Sequence, residues 1–277
     1  MLARARQSVR YRDLLYNLVV RDLKVRYKHS VLGFFWSLLN PLLLMGVFTF
    51  VFTALLASDK TRPAFHIFFL CALLPWNWCA TSVSGTLGSI VGNGHLIKKV
   101  YFPREMLPVS VVLSNMINYL LSLPALLLFM LFLRTGLQGS AFDASCEHVC
   151  LNRHLVWLPL LIVTQMLFLM GLGFLLSALN VYFRDTSVLV EVGLSAWFFL
   201  TPIIYDAKDV AGNLVNWMYY LNPMASIIAN YRDIFYYNSP GSPAPEFMLR
   251  TLITSSVLFV LGYLFFMRVS KNFGEEI

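Results

Sequence analysis

The sequence has 277 residues, 58% of them hydrophobic and only 13% charged, about half the ~25% charged share of an ordinary soluble domain. A soluble helical bundle would need polar faces on its outer helices, and the long apolar windows here are apolar all round. The formal charge of +7 sits between those windows, which makes it a topological signal suited to an anionic inner leaflet rather than a nucleic-acid footprint.

At the N-terminus, Tyr11, Leu14, Leu15, Leu18 and Val19 recur at helical spacing, while Arg10, Asp13, Asn17, Arg21, Lys24 and Lys28 share another side. The pattern predicts an amphipathic helix lying at the cytoplasmic interface within residues 1–30. Asp22 and Arg26 are four apart and project near its apolar side, where an i,i+4 pair is tolerated better than a lone charge. That placement suggests a face covered by protein. No signal peptide is expected, because the first apolar stretch starts only at Val31 and is too long for an h-region.

Charge-free windows follow at Val31 to Ser58, Pro63 to Ile97, Met106 to Leu133, His154 to Phe183 and Thr251 to Met267. A sixth, Thr186 to Tyr205, reaches spanning length only by including Glu191. About 20 helical residues cross a bilayer, so the fold class is an all-α integral membrane protein with six transmembrane helices. Their expected positions are about 31–57, 65–91, 108–133, 155–180, 186–205 and 249–268, with residues 270–277 as a tail. A cytoplasmic N-terminus puts fourteen of the 21 Lys and Arg inside, eight of them before Val31, and seven outside. The positive-inside rule then places both termini in the cytoplasm.

Within the second window Ala80, Ser84, Gly88 and Gly92 form a face of small side chains, which serves packing either within one subunit or between two. Pro41, Pro75, Pro124 and Pro202 read as supported kinks. Cys71 and Cys79 read as small packing residues. The outer loop from Arg134 to Arg153 holds Cys146, His148 and Cys150, with His154 next to it. Free or bridged thiols are the favoured reading there, and a metal site the alternative. Leu214 to Tyr237, aromatic but split by Asn222-Pro223, fits either two short helices dipping into the outer leaflet or an aromatic belt lying flat.

No G-x4-G-K-[ST], H-E-x-x-H or G-x-S-x-G motif occurs, and Glu191 is the one acidic residue inside a predicted span. A chain without a phosphate loop, a carboxylate cluster or a relay of ionisable groups is not expected to power or catalyse anything by itself. A membrane glycosyltransferase would need clustered carboxylates with a metal, and an ion-driven transporter more ionisable groups in its spans.

Six segments in order then carry a resemblance: "RDLKVRYKHSVLGFFWSLLNPLL" (21–43), "ALLPWNW" (72–78), "HLIKKVYFPREMLP" (95–108), "ALNVYFRD" (178–185), "FFLTPIIY" (198–205) and "LNPMASIIANYRDIFY" (221–236). The chain resembles the membrane subunit of type-2 ATP-binding-cassette exporters, in the branch exporting lipid-linked polysaccharides such as O-antigen and teichoic acid. The resemblance implies six spans, an N-terminal interface helix and short re-entrant outward-side helices between the fifth and sixth spans. It also implies a homodimer in the bacterial cytoplasmic membrane, with MgATP bound on two copies of a separate cytoplasmic ATPase. The family's coupling helix maps onto Leu96, Ile97, Lys98, Lys99, Val100, Tyr101, Phe102, Pro103 and Arg104, with Tyr182, Arg184 and Asp185 as a smaller contact. Asp22, Lys24, Arg26 and Lys28 fall on the interface helix. The cysteine-bearing loop departs from the family pattern, and nothing is carried over to it.

A sugar polymer needs a wide lining of aromatic and small polar groups. Glu191, Ser195, Phe198, Pro202 and Tyr205 fall at helical steps on one face, and Phe35, Trp36, Ser37 and Asn40 cluster on the first span. These two faces are the expected substrate path, between subunits. Export of a drug or small lipid by the same fold is the alternative substrate reading.

Overall fold

A computed structural model describes residues 11–28, 30, 32–51, 65–99, 102–136, 153–206, 219–237 and 245–273. Nine α-helices cover most of these: α1 (Arg12–Tyr27), α2 (Trp36–Phe50), α3 (Phe65–Leu87), α4 (Gly94–Lys99), α5 (Met106–Gly136), α6 (Leu158–Tyr182), α7 (Thr186–Leu200), α8 (Pro223–Arg232) and α9 (Pro245–Val269). There is no strand among the described residues.

Four helical stretches, Phe65–Leu87, Met106–Leu128, His154–Tyr182 and Pro245–Val269, are long and apolar enough to cross a membrane. The predicted first and fifth spans are shorter. Helices α2 and α7 have 15 residues each, roughly 22 Å at 1.5 Å per residue, against a hydrocarbon layer of about 30 Å. Helix α2 starts only at Trp36, after a turn in which Gly33 takes a positive φ of 49° and donates its N–H to Ser30 Oγ. Helix α7 stops at Leu200 because Thr201 is extended (φ −100°, ψ 132°), the conformation that a following proline imposes. Pro202 therefore lies beyond a helix end rather than in a kink, whereas Pro41, Pro75 and Pro124 are inside helices.

Helix α3 is the central helix: its aromatic and aliphatic side chains are buried on nearly every side. Cys71 and Cys79 are fully enclosed there as free thiols, as their apolar setting predicts. Helices α6 and α9 approach as closely as backbones allow. A Cβ on Gly262 would lie 2.2 Å from the Gly171 carbonyl oxygen, and one on Gly171 would lie 2.7 Å from the Leu258 carbonyl oxygen. Glycine is required at both positions because any side chain would force the helices apart.

A second apolar cluster closes one end of the bundle. It joins Leu18 of α1 to Ile90, Phe102, Met106, Leu107, Phe174, Phe266 and Phe273. The N-terminal helix and the last described residues of the chain thus lie at the same end. At the other end Asn222 caps α8, accepting the N–H groups of Met224 (3.1 Å) and Ala225 (3.3 Å), with Pro223 in the first turn. This is the favoured start of a helix. Helix α8 is buried against α3 rather than lying flat on the surface. Arg232, 2% exposed, ends it and donates to the carbonyls of Ile203 (2.7 Å) and Tyr205 (3.1 Å). Those oxygens are freed by the break after Leu200, so the Arg232 guanidinium supplies partners that a continued α7 would have made internally. Cys146, His148 and Cys150 lie outside the described residues.

Candidate functional site

The basic end of the bundle gathers four segments. After a turn at Val91–Asn93 the chain forms α4, whose Leu96 and Ile97 pack against the end cluster while His95, Lys98 and Lys99 are exposed. Phe102 is buried in that cluster. Arg104 donates to the Ser270 carbonyl and lies 6.0 Å from the Phe273 ring. The predicted coupling segment therefore divides by chemistry: Phe102 and Arg104 anchor it to the end of α9, and Lys98 and Lys99 present charge outward. Val100 and Tyr101 lie outside the described residues. Tyr182, Arg184 and Asp185 are all exposed, and the Tyr182 hydroxyl donates to the Val269 carbonyl at 3.3 Å.

Helix α1 lies along α5 with the predicted apolar face inward; Leu18 and Val19 are buried, and Lys24 and Lys28 are exposed. Its polar partners differ from the sequence expectation. Asp22 and Arg26 do not pair. Asp22 pairs with its neighbour Arg21 at 2.9 Å and accepts a hydrogen bond from Ser110 Oγ at 3.4 Å. Arg26 donates to Asn115 Oδ1 at 2.7 Å, and the Tyr27 hydroxyl donates to Asn118 Oδ1 at 2.7 Å. The expected protein-covered face is present, but α5 supplies what covers it. Arg21 also donates to Asn93 Oδ1 at 2.9 Å, tying α1 to the turn that leads into α4.

The two predicted path faces do not meet within one chain. Trp36 and Asn40 line a cavity bounded by α1, α3 and α5, and Phe35 is exposed; the Ser37 side chain is outside the described set. Ser195 and Phe198 line a separate groove with Trp76 and Ala80 of α3. Phe198 meets Trp76 edge-on at 5.7 Å. Glu191 is exposed, and its carbonyl accepts from Ser195 Oγ. Because α7 ends at Leu200, the predicted single helical face is continuous only from Glu191 through Phe198. Pro202 is buried in the following turn, and the Tyr205 hydroxyl reaches back to the Phe199 carbonyl at 3.0 Å. Among the described residues the small-residue face is open: Ser84, Gly88 and Gly92 are exposed, and no described atom lies within 4 Å of a Cβ built on either glycine.

Sequence reasoning passed over Asn77, Asn115 and Asn118, which share the cavity with Arg26. Asn115 and Asn118, three apart in a charge-free window, carried a readable signal, since polar side chains so spaced share a helix face.

The sequence matches the ABC-2 type transporter family over residues 13–236. It is similar to an O-antigen export system permease protein RfbA of Myxococcus xanthus, at 35% identity over the whole of both chains. The protein of that name from Klebsiella pneumoniae is 33% identical over 95% of this chain and 94% of its own. The polysialic acid transport protein KpsM of Escherichia coli is 22% identical over 86% of this chain and 87% of its own. The chain belongs to the ABC-2 transporter membrane family, whose architecture is that of a multi-pass membrane permease working with an ATP-binding partner subunit.

Proposed function

We propose that this chain is the transmembrane subunit of an ATP-driven exporter that moves a lipid-linked, O-antigen-like polysaccharide across the bacterial cytoplasmic membrane. The observation that carries the reading is the end-to-end similarity to O-antigen export permeases. The geometry agrees with a borrowed motor. At the basic end an exposed Lys98-Lys99 pair sits on a short helix whose apolar side is anchored to α1, α5 and α9. A push on that helix passes directly into the bundle.

In this reading the chain crosses six times, with α2 and α7 as the first and fifth spans and both termini cytoplasmic. Helix α8 dips from the outer side beside α7 and completes the outer half that α7 lacks. Two copies associate so that the Trp36–Asn40 and Ser195–Phe198 faces, separate in one chain, approach across the dimer. Two cytoplasmic ATPase subunits hold MgATP and dock on Lys98, Lys99, Arg184 and Asp185. A strain lacking the chain keeps its lipid-linked glycan at the cytoplasmic face, and re-expression restores surface glycan. Unchanged surface glycan in the deletion strain refutes the proposal.

A further inference from the structure

Past α9 the chain makes one short helical turn, Ser270–Asn272, and then buries Phe273 completely, at 0% exposure. Enclosing a ring that lies only a turn beyond the last long helix takes cover from other segments. Phe266 of α9 meets it edge-on at 5.5 Å. The Tyr182 ring stands 6.2 Å away, and the Arg104 guanidinium lies 6.0 Å from the Phe273 centroid. Tyr182 closes α6 and Arg104 leads into α5, so both arrive from segments distant in sequence. The same apolar cluster takes in Phe102, with Leu96 and Ile97 of α4 packed against it.

Backbone polarity repeats the pattern. Carbonyls in the last turn of a helix have no further turn to bond and carry partial negative charge, so they draw donors from elsewhere, cations above all. At the end of α9 the Val269 carbonyl accepts the Tyr182 hydroxyl at 3.3 Å, and the Ser270 carbonyl accepts both the Phe273 N–H and Arg104. Two adjacent carbonyls and one buried ring are thus shared by the approach to α5 and the end of α6. Each polar contact alone contributes little; the ring is the part they have in common, and close packing around it makes the junction stiff.

We infer that Phe273 is a positioning residue: it holds α4, the start of α5 and residues 182–185 in one fixed relation, so that a displacement of either segment is carried to the other and to α9. Packed side chains and hydrogen bonds at the ends of rigid helices are the physical means of such coupling. The inference rests on the proposed function for what those segments meet, a cytoplasmic ATPase; the junction itself does not depend on that reading.

The test follows amide hydrogen exchange in the full chain in lipid nanodiscs, and export per ATP hydrolysed by the complex with its ATPase. The amides to watch are Met106 and Leu107, bonded to the Pro103 and Arg104 carbonyls, and Phe183 and Thr186, bonded to the Leu179 and Phe183 carbonyls. Phe273→Ala is expected to speed exchange about tenfold at both pairs while α3 keeps its protection, and Phe273→Leu to restore most of it. Arg104→Met, at a half-buried position, is expected to speed exchange at Phe183 and Thr186, which it does not touch, and it decides the question if Phe273→Ala does not fold. In the complex Phe273→Ala is expected to keep hydrolysing ATP but to lose export per ATP about threefold or more. Faster exchange confined to one pair or to the end of α9, unchanged exchange at Phe183 and Thr186 in Arg104→Met, or unchanged export per ATP in a loosened variant each overturns the inference. A parent complex that moves no glycan sinks the exporter reading, and the exchange measurements then still decide whether Phe273 joins the two segments.

Discussion

Arg21 and Asn93, 72 residues apart in sequence, meet at 2.9 Å and join α1 to the turn that leads into α4. Asn93 in turn donates from Nδ2 to the Ser89 carbonyl at 2.8 Å, so one side chain links α1, the turn and the end of α3. Arg21→Ala and Asn93→Ala are expected to lower export severalfold while ATP hydrolysis by the assembled complex continues. A double-mutant cycle on export rate reads the link as non-additivity; strictly additive losses show that the contact transmits nothing.

The proposed coupling segment separates into buried and exposed side chains. Phe102→Ala removes a ring that is 6% exposed from the end cluster and costs about 3 kcal/mol of stability, visible as a lower unfolding temperature and reduced abundance. Charge reversal at the exposed Lys98 and Lys99 leaves the unfolding temperature within ~1 °C of the parent, because surface substitutions away from specific features shift stability little. It instead reduces co-purification of the ATPase. An unchanged yield of complex from the double reversal excludes these lysines from docking.

Gly171 and Gly262 are closed to any larger residue. Alanine at Gly262 places a methyl 2.2 Å from a backbone oxygen, so α6 and α9 must separate and core packing is lost. Membrane-inserted Gly262→Ala is expected to unfold at least ~5 °C lower and to be degraded. Gly88→Ala is the contrast: no described atom lies within 4 Å of a Cβ there, so the monomer is expected to keep its stability, and any weakening of the proposed dimer shows in cross-linking or light scattering.

Arg232 holds the turn after α7. Replacing it with Met keeps much of the stacking volume over Phe68, 3.6 Å from the guanidinium carbon to the ring centroid, but leaves the Ile203 and Tyr205 carbonyls without its N–H groups. A loss of about 3 kcal/mol is expected, measured as thermal unfolding in detergent. Full stability in Arg232→Met excludes the clamp.

How much was legible in the sequence depended on the range of the interaction. The α1 face with Leu18 and Val19 and four of the six apolar windows obey local periodicity, and the structure reproduces them; at Asn222-Pro223, where two readings stood open, local backbone preference starts a helix. The partner of Arg26 was not legible, because Asp22 was near in sequence and Asn115 is 89 residues away. The extent of the fifth span was misjudged through hydropathy, which continues past Leu200 although Pro202 constrains Thr201 and ends the helix.

By itself the sequence determined that the chain belongs in lipid, that its Lys and Arg gather ahead of and between the apolar windows, and that a basic Lys98-Lys99 pair follows one of them. Those properties follow from composition and from side-chain periodicity along single helices. Only the tertiary structure decided that Phe102 and Arg104 face inward while Lys98 and Lys99 face out, and that Gly171 must touch Gly262. It also decided that Arg26 and Tyr27 of α1 meet Asn115 and Asn118 of α5. Each of these depends on which surfaces distant helices bury against one another, and burial between distant segments leaves no period in a single strand of letters.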